Sequence, residues 1–138
     1  MKLILTLLVG VTASTLVQAA PNMSAGLWEI TTRSEMPGMP MQMPPMSFRH
    51  CYKAEDLKQT KDTLPVDKNC KMDDLKESGN TVRWKVSCKT ESGPMTGSGE
   101  VTYAGQSYTG NMTMVGKMDG MDINMKQTYS AKRVGDCK

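Results

Sequence analysis

Five methionines, Met36, Met39, Met41, Met43 and Met46, fall between positions 36 and 46 in M-x-x-M and M-x-M spacings. Thioethers are soft, neutral ligands that prefer Cu(I) or Ag(I). Unlike thiols, they persist in an oxidising compartment without forming disulfides. The chain's single histidine, His50, could add an imidazole to such a set. The same loop, rich in Met and Pro, also suits an adaptable apolar flap folded back over a Met-rich core. A second group, Met112, Met114 and Met125 with Tyr129, recurs at strand spacing and reads as one apolar sheet face, a place for an apolar ligand.

Residues for catalysis are not assembled. The parity of His50 puts it with Phe48 and Tyr52, as a partly buried or edge histidine. No serine stands in a G-x-S-x-G elbow. Asp119 and Asp122 flank a tight turn and read as turn chemistry. Gly97-Ser98-Gly99 lies within a strand pattern rather than before a helix, so it is not a phosphate loop. The expectation is a protein that is not an enzyme and needs no cofactor, Cu(I) or Ag(I) being the one metal alternative.

The elements that must position these residues begin after a leader. Lys2 supplies a positive n-region, Leu3 to Val11 an apolar stretch, and Val17-Gln18-Ala19 a small-x-Ala cleavage pattern. Residues 1–19 therefore read as a cleavable signal peptide, too short and interrupted to stay in a bilayer as a span. No Cys follows the cleavage site and no twin-Arg pair precedes it. The expected product is a periplasmic protein, not a lipoprotein, with no stable membrane insertion. Residues 20–138 are enough for one domain with one modest core. The net charge of +3 falls by one when the leader is removed, and the basic residues are interleaved with acidic ones, which argues against nucleic acid. One Phe, two Trp and four Tyr stand against fourteen Met, so Met must supply much of the apolar volume.

Period-two alternation marks strands over Gly26 to Ser34 and Met46 to Lys53. The prolines between them make 36–46 a loop. Ala54 to Thr63 reads as a short helix limited by Pro65. From Cys70 a meander follows, punctuated at Ser78-Gly79-Asn80, Ser92-Gly93-Pro94, Gly105-Gln106 and Asp119-Gly120. Two-residue loops at the last two turns set Met114 against Met125, Gly116 against Ile123, Tyr103 against Tyr108 and Val101 against Gly110. Both registers put apolar residues on one shared face, the agreement expected of correct pairing. Trp84 is expected to lie across Gly97 and Gly99, with Trp28 as its core counterpart.

Four cysteines in an exported chain imply two disulfides. A zinc site is disfavoured because no C-x-x-C pair is present. Cys70 and Cys88 are symmetric about Gly79, so they face one another if the hairpin closes at Ser78-Gly79-Asn80. Cys51 then pairs with Cys137 by elimination. On the chain-entropy picture the two bridges contribute about 3 and about 4 to 5 kcal/mol. A one-residue slip in the hairpin would instead turn Cys70 and Cys88 to opposite faces.

Taken together, Gly26-Leu27-Trp28-Glu29-Ile30-Thr31, the following Met-Pro-Gly-Met-Pro loop, Cys51, Cys70, the Ser78-Gly79-Asn80-Thr81-Val82-x-Trp84 turn and the final Gly135-Asp136-Cys137 resemble the domain-of-unknown-function 3617 family. The resemblance runs from about Ala25 to Cys137. It implies a small exported bacterial domain and carries no catalytic residues with it. The expected fold is mainly β: a single curved antiparallel sheet or partial barrel in meander order, with one short helix. The expected role is a monomeric, non-enzymatic periplasmic binding or envelope protein. It would hold an apolar ligand or a partner on the Met-lined face, with Cu(I) binding by the 36–46 loop as the alternative.

Overall fold

The computed structural model describes residues 21–40, 42–64 and 66–138. The signal-peptide expectation, Met41 and Pro65 lie outside these residues. Seven strands form one antiparallel sheet: β1 (Gly26–Glu35), β2 (Met46–Tyr52), β3 (Cys70–Ser78), β4 (Thr81–Thr90), β5 (Gly93–Tyr103), β6 (Ser107–Met118) and β7 (Met121–Gly135). The spatial order is β2-β1-β7-β6-β5-β4-β3. β3 to β7 run as a meander; β1 then adds beside β7, and β2 forms the far edge.

Turn chemistry sets the registers. Asp119 and Gly120 both hold positive φ (51° and 80°), as a two-residue hairpin loop of this hand requires. Met114 faces Met125 and Gly116 faces Ile123. At the preceding turn Tyr103 faces Tyr108 and Val101 faces Gly110. One face of the sheet therefore collects Trp28, Ile30, Val82, Trp84, Val86, Val101, Tyr103, Tyr108, Met112 and Met114, all buried. The other face carries cross-strand polar pairs such as Arg83–Glu100, Glu29–Arg49 and Thr81–Thr102. Trp84 faces Gly99, where an added Cβ would stand 2.3 Å from indole Cζ2. Only a residue without a side chain admits that packing.

The sheet is open rather than a closed barrel, with β2 and β3 as its two edges. The connection between them, residues 53–69, must therefore pass from one edge to the other. It does so across the apolar face, and this strap presses Leu57, Thr60, Thr63, Leu64 and Val66 onto the core. The helix expected over Ala54 to Thr63 is not formed. That stretch is a series of turns ending in a single 3-10 turn, Thr60–Thr63, and the described residues contain no α-helix. The core-facing positions Leu57, Thr60 and Thr63 recur every three residues. That is the period of a 3-10 turn, which stacks i and i+3 on one side.

Both expected disulfides are present, Cys51–Cys137 and Cys70–Cys88. Each fastens one edge strand, and their cysteines stand just outside the two ends of the strap. The β3–β4 hairpin reaches this pairing by an unexpected route. Its turn pairs Ser78 with Thr81, so Gly79-Asn80 is a two-residue loop. An uninterrupted ladder from that turn would set Cys70 against Lys89 and leave the cysteines on opposite faces. One extra residue in β3, between Asp73 and Lys76, shifts the register and brings Cys70 opposite Cys88. Asp74 takes up the kink at φ 52°.

Candidate functional site

Under the strap, the curled sheet leaves a cavity of about 270 Å³. Its wall draws on β2, β1, β7, β6, β5 and β4 as well as the strap. In a flat sheet β2 and β4 would lie about 24 Å apart, at about 4.8 Å per strand step. Residues of both line this one space, so the sheet is strongly curled. The aromatic residues of the chain converge here. All four tyrosines (Tyr52, Tyr103, Tyr108, Tyr129), the single Phe48, the single His50 and one of the two tryptophans, Trp84, line the cavity. Ile30, Val101 and Leu64 complete the apolar wall. Phe48 is 51% exposed and His50 and Asp62 are also exposed, which puts β2 and the strap at the mouth.

The rings brace one another. Tyr108 stacks on Trp28 with centroids 5.5 Å apart, and Tyr52 meets Trp28 edge-on at 6.2 Å. Tyr103 meets Tyr108 at 5.9 Å, and His50 meets Tyr52 at 4.5 Å. The parity reading of His50 with Phe48 and Tyr52 holds, since all three line the same space.

Polar groups are few and placed. The Thr63 hydroxyl donates to the Thr60 carbonyl at 2.8 Å, so its oxygen receives the hydroxyl proton of Tyr103 at 2.6 Å. Tyr52 and Tyr108 hydroxyls meet at 3.4 Å, and Tyr129 donates to Gln127. Burial is the main reason that all four tyrosines are harder to ionise than usual. Tyr103 is pushed up to about 12, Tyr108 is raised further, and Tyr52 and Tyr129 are raised. The cavity is thus lined mainly by neutral phenols and apolar side chains, with Asp62 and Glu100 also in its lining.

The floor differs from the rest of the sheet. Trp84 covers Gly99, Met114 Sδ lies over Gly97, and Met95 lies over Gly116. At Gly110, in contrast, the nearest atoms to an added Cβ are Glu100 O and Val101 Cα and Cβ. Gly110 is a wall residue of the cavity.

Of the apolar-ligand residues read from sequence, Tyr129 lines this cavity and the three methionines do not. Met112 stands behind Tyr129, its Sδ 3.9 Å from the phenol oxygen. Met114 is buried over Gly97, and half-buried Met125 faces it across the β6–β7 ladder. Period two identifies the face but not which part of it stays open. The aromatic set is visible in the sequence only as scattered residues, since its members come from strands that meet through tertiary structure.

Of the metal candidates, Met36, Met39 and Met43 line a concavity formed by the loop itself, and Met39 and Met43 are exposed. Met46 is 70% exposed at the start of β2 and lies outside that concavity. His50 is four residues farther along β2, about 13 Å away at the rise of an extended strand, and belongs to the cavity mouth instead. The β1–β7 register, continued one step past Glu35–Lys126, sets Met36 against Met125. Among the described residues, no three His, Cys, Asp or Glu side chains group as a metal site. No described helix is long and apolar enough to cross a membrane.

No curated protein and no solved structure matches the chain. The profile of one family, described as a protein of unknown function (DUF3617), matches residues 23–137, nearly the whole of the disulfide-linked sheet. The chain belongs to the DUF3617 family.

Proposed function

We propose that this protein is a non-enzymatic binding protein of the periplasm that holds a small, mainly apolar, ring-containing ligand between the curled sheet and its strap. The observation that carries the reading is the gathering of nearly all the aromatic side chains around one cavity, in a chain that has few. Such a wall offers large apolar contact with a small number of hydroxyls to orient a guest. An apolar cavity of about 150 Å³ is enough for benzene. The space here, about 270 Å³, suits two fused rings.

The covalent anchoring of the strap at both ends supports a rigid, preformed site rather than a swinging lid. The leader at residues 1–19 and the two disulfides support export, and N-terminal sequencing of the protein from a periplasmic extract is expected to begin at Ala20.

Binding of naphthalene, followed by NMR titration of the disulfide-intact domain, tests the function. Saturable binding is expected, with shifts centred on Trp84 and the tyrosine rings. It should be lost in Val101→Phe, which fills the space while adding no charge. Absence of binding, or equal binding by a folded Val101→Phe variant, would sink the proposal.

A second reading has its own observation, the placing of Met36, Met39 and Met43 around one concavity with Met125 beside Met36 in the continued register. Here the soft thioethers of the loop take Cu(I) or Ag(I). Anaerobic Cu(I) titration against a competing chelator is expected to show tight stoichiometric binding. That binding should disappear when the loop methionines become leucine. Failure of the wild-type domain to compete removes the metal.

A further inference from the structure

The charge around the cavity runs against the charge of the chain. Lys and Arg outnumber Asp and Glu by 17 to 14, yet no Lys or Arg lines the cavity. His50 is its one basic residue, and Asp62 and Glu100 are its acidic ones. These two acids differ. Glu100 holds its carboxylate against Arg83, at 2.6 Å, on the polar face of the sheet. Its backbone carbonyl is what lies nearest Gly110 in the cavity wall. Asp62 stands exposed on the strap at the mouth, and among the described residues no salt bridge takes up its charge.

Further acids stand behind the rings. Beyond burial, the charged side chains that act on Tyr52 and Tyr103 are Asp56 and Glu77, and both raise them. Neither is in a salt bridge among the described residues. No Lys or Arg acts to lower any of the four tyrosines. The strap does carry lysines, but Lys53, Lys58 and Lys61 are exposed and none of them lines the cavity.

A guest is therefore surrounded by neutral rings and unpaired carboxylates, with no fixed cation. Walls of low dielectric strengthen that field. A carboxylate guest would meet charge of its own sign, and a hydrocarbon would gain nothing from it. A cation gains from the field and also from aromatic faces, whose quadrupole attracts positive charge. A compact ammonium is strongly hydrated and resists transfer into such a space. Charge spread over a planar system is more weakly hydrated, as guanidinium is beside ammonium.

We propose that the guest is a small ring compound with a permanent, delocalised positive charge, the class of N-alkylated aromatic heterocycles, held by the aromatic wall and attracted by Asp62 at the mouth. This rests on the cavity being the binding site, as proposed above.

N-methylquinolinium, 1-methylnaphthalene and 1-naphthoate separate the possibilities, because each is a fused ring pair with one substituent and they differ in charge. Affinities are read by NMR titration of the wild-type, disulfide-intact domain. N-methylquinolinium is expected to bind about three- to thirtyfold more tightly than 1-methylnaphthalene, the range of a cation held by aromatic faces, and 1-naphthoate more weakly than either. Added salt should weaken binding of the cation and not that of 1-methylnaphthalene. Asp62→Asn should narrow the ratio of those two affinities about two- to fivefold, the range of an exposed ion pair.

If 1-methylnaphthalene or 1-naphthoate binds as tightly as the cation, the charge assignment is wrong although the cavity still binds. A ratio unchanged in folded Asp62→Asn overturns the role of Asp62. Failure of all three compounds to bind would instead overturn the binding function itself. Should Asp62→Asn not fold, the wild-type preference and its salt dependence decide alone.

Discussion

Alkaline titration tests whether the tyrosine-lined cavity is as dry as its geometry implies. Tyr103 is 2% exposed. Burial, opposed in part by its bond to Thr63 and reinforced by Tyr52 and Glu77, raises it to about 12. An unfolded tyrosine ionises near 10. Between those values the folded chain holds a proton that the unfolded chain has released. The stability linked to this group is therefore fully present below about pH 10 and is lost as pH rises toward about 12. Two pH units correspond to about 3 kcal/mol, a large share of the roughly 5–15 kcal/mol that holds a domain of this size. Tyr108, Tyr52 and Tyr129 shift in the same direction, so their losses add to it. The exposed lysine pairs contribute little in comparison. Tyrosinate absorbance and near-ultraviolet circular dichroism, followed together, are expected to change in one cooperative step above about pH 10, ionisation coinciding with unfolding. Independent ionisation of two or more tyrosines near pH 10, with the fold intact, would refute the account of the cavity wall.

Three further outcomes concern the frame around the site. Removing the Cys51–Cys137 bridge by paired Ser substitutions is expected to cost about 4.6 kcal/mol in urea unfolding, and removing Cys70–Cys88 about 3.2, from sequence separations of 86 and 18. The reverse order would count against the chain-entropy argument. Asp74→Val should destabilise by about 1–2 kcal/mol because a β-branched residue resists positive φ. Asp74→Gly should be close to neutral, and equal urea midpoints for the two would remove the bulge strain as the cause. Gly99→Ala forces the Trp84 indole from its seat and should cost about 1–3 kcal/mol. It should also shift the Trp84 indole resonance; an unmoved resonance with unchanged stability would contradict the packing.

Much of the meander is legible in the amino-acid sequence because its information is local. A turn such as Asp119-Gly120 sets the register of the strands on either side of it, and period two then assigns each residue to a face. Met114 against Met125, Tyr103 against Tyr108 and Trp84 over Gly99 each follow from the single turn that joins the two neighbouring strands. The cysteine pairing is legible too, but for a partly wrong reason. The symmetry about Gly79 suggests a three-residue turn, whereas the chain makes a two-residue turn and recovers the register with a bulge at Asp74. The helix expected over Ala54 to Thr63 is absent because composition speaks only for the segment itself. The conformation of that segment answers to the core beneath it, with Leu57, Thr60 and Thr63 facing inward every third residue.

Alternation and turn residues act over short distances. They therefore specify, within the chain's own order of residues, the class of structure, the strands and hairpins of the meander and the apolar face. Long-range packing alone settles that β1 adds beside β7, that β2 and β3 become opposite edges, and that the strap between them must cross the apolar face. The cavity is a consequence of that closure. Tyr52 and Tyr108 are 56 positions apart and acquire contact only when the sheet curls. Long-range closure is fixed by the summed burial of a whole face, which no local pattern records.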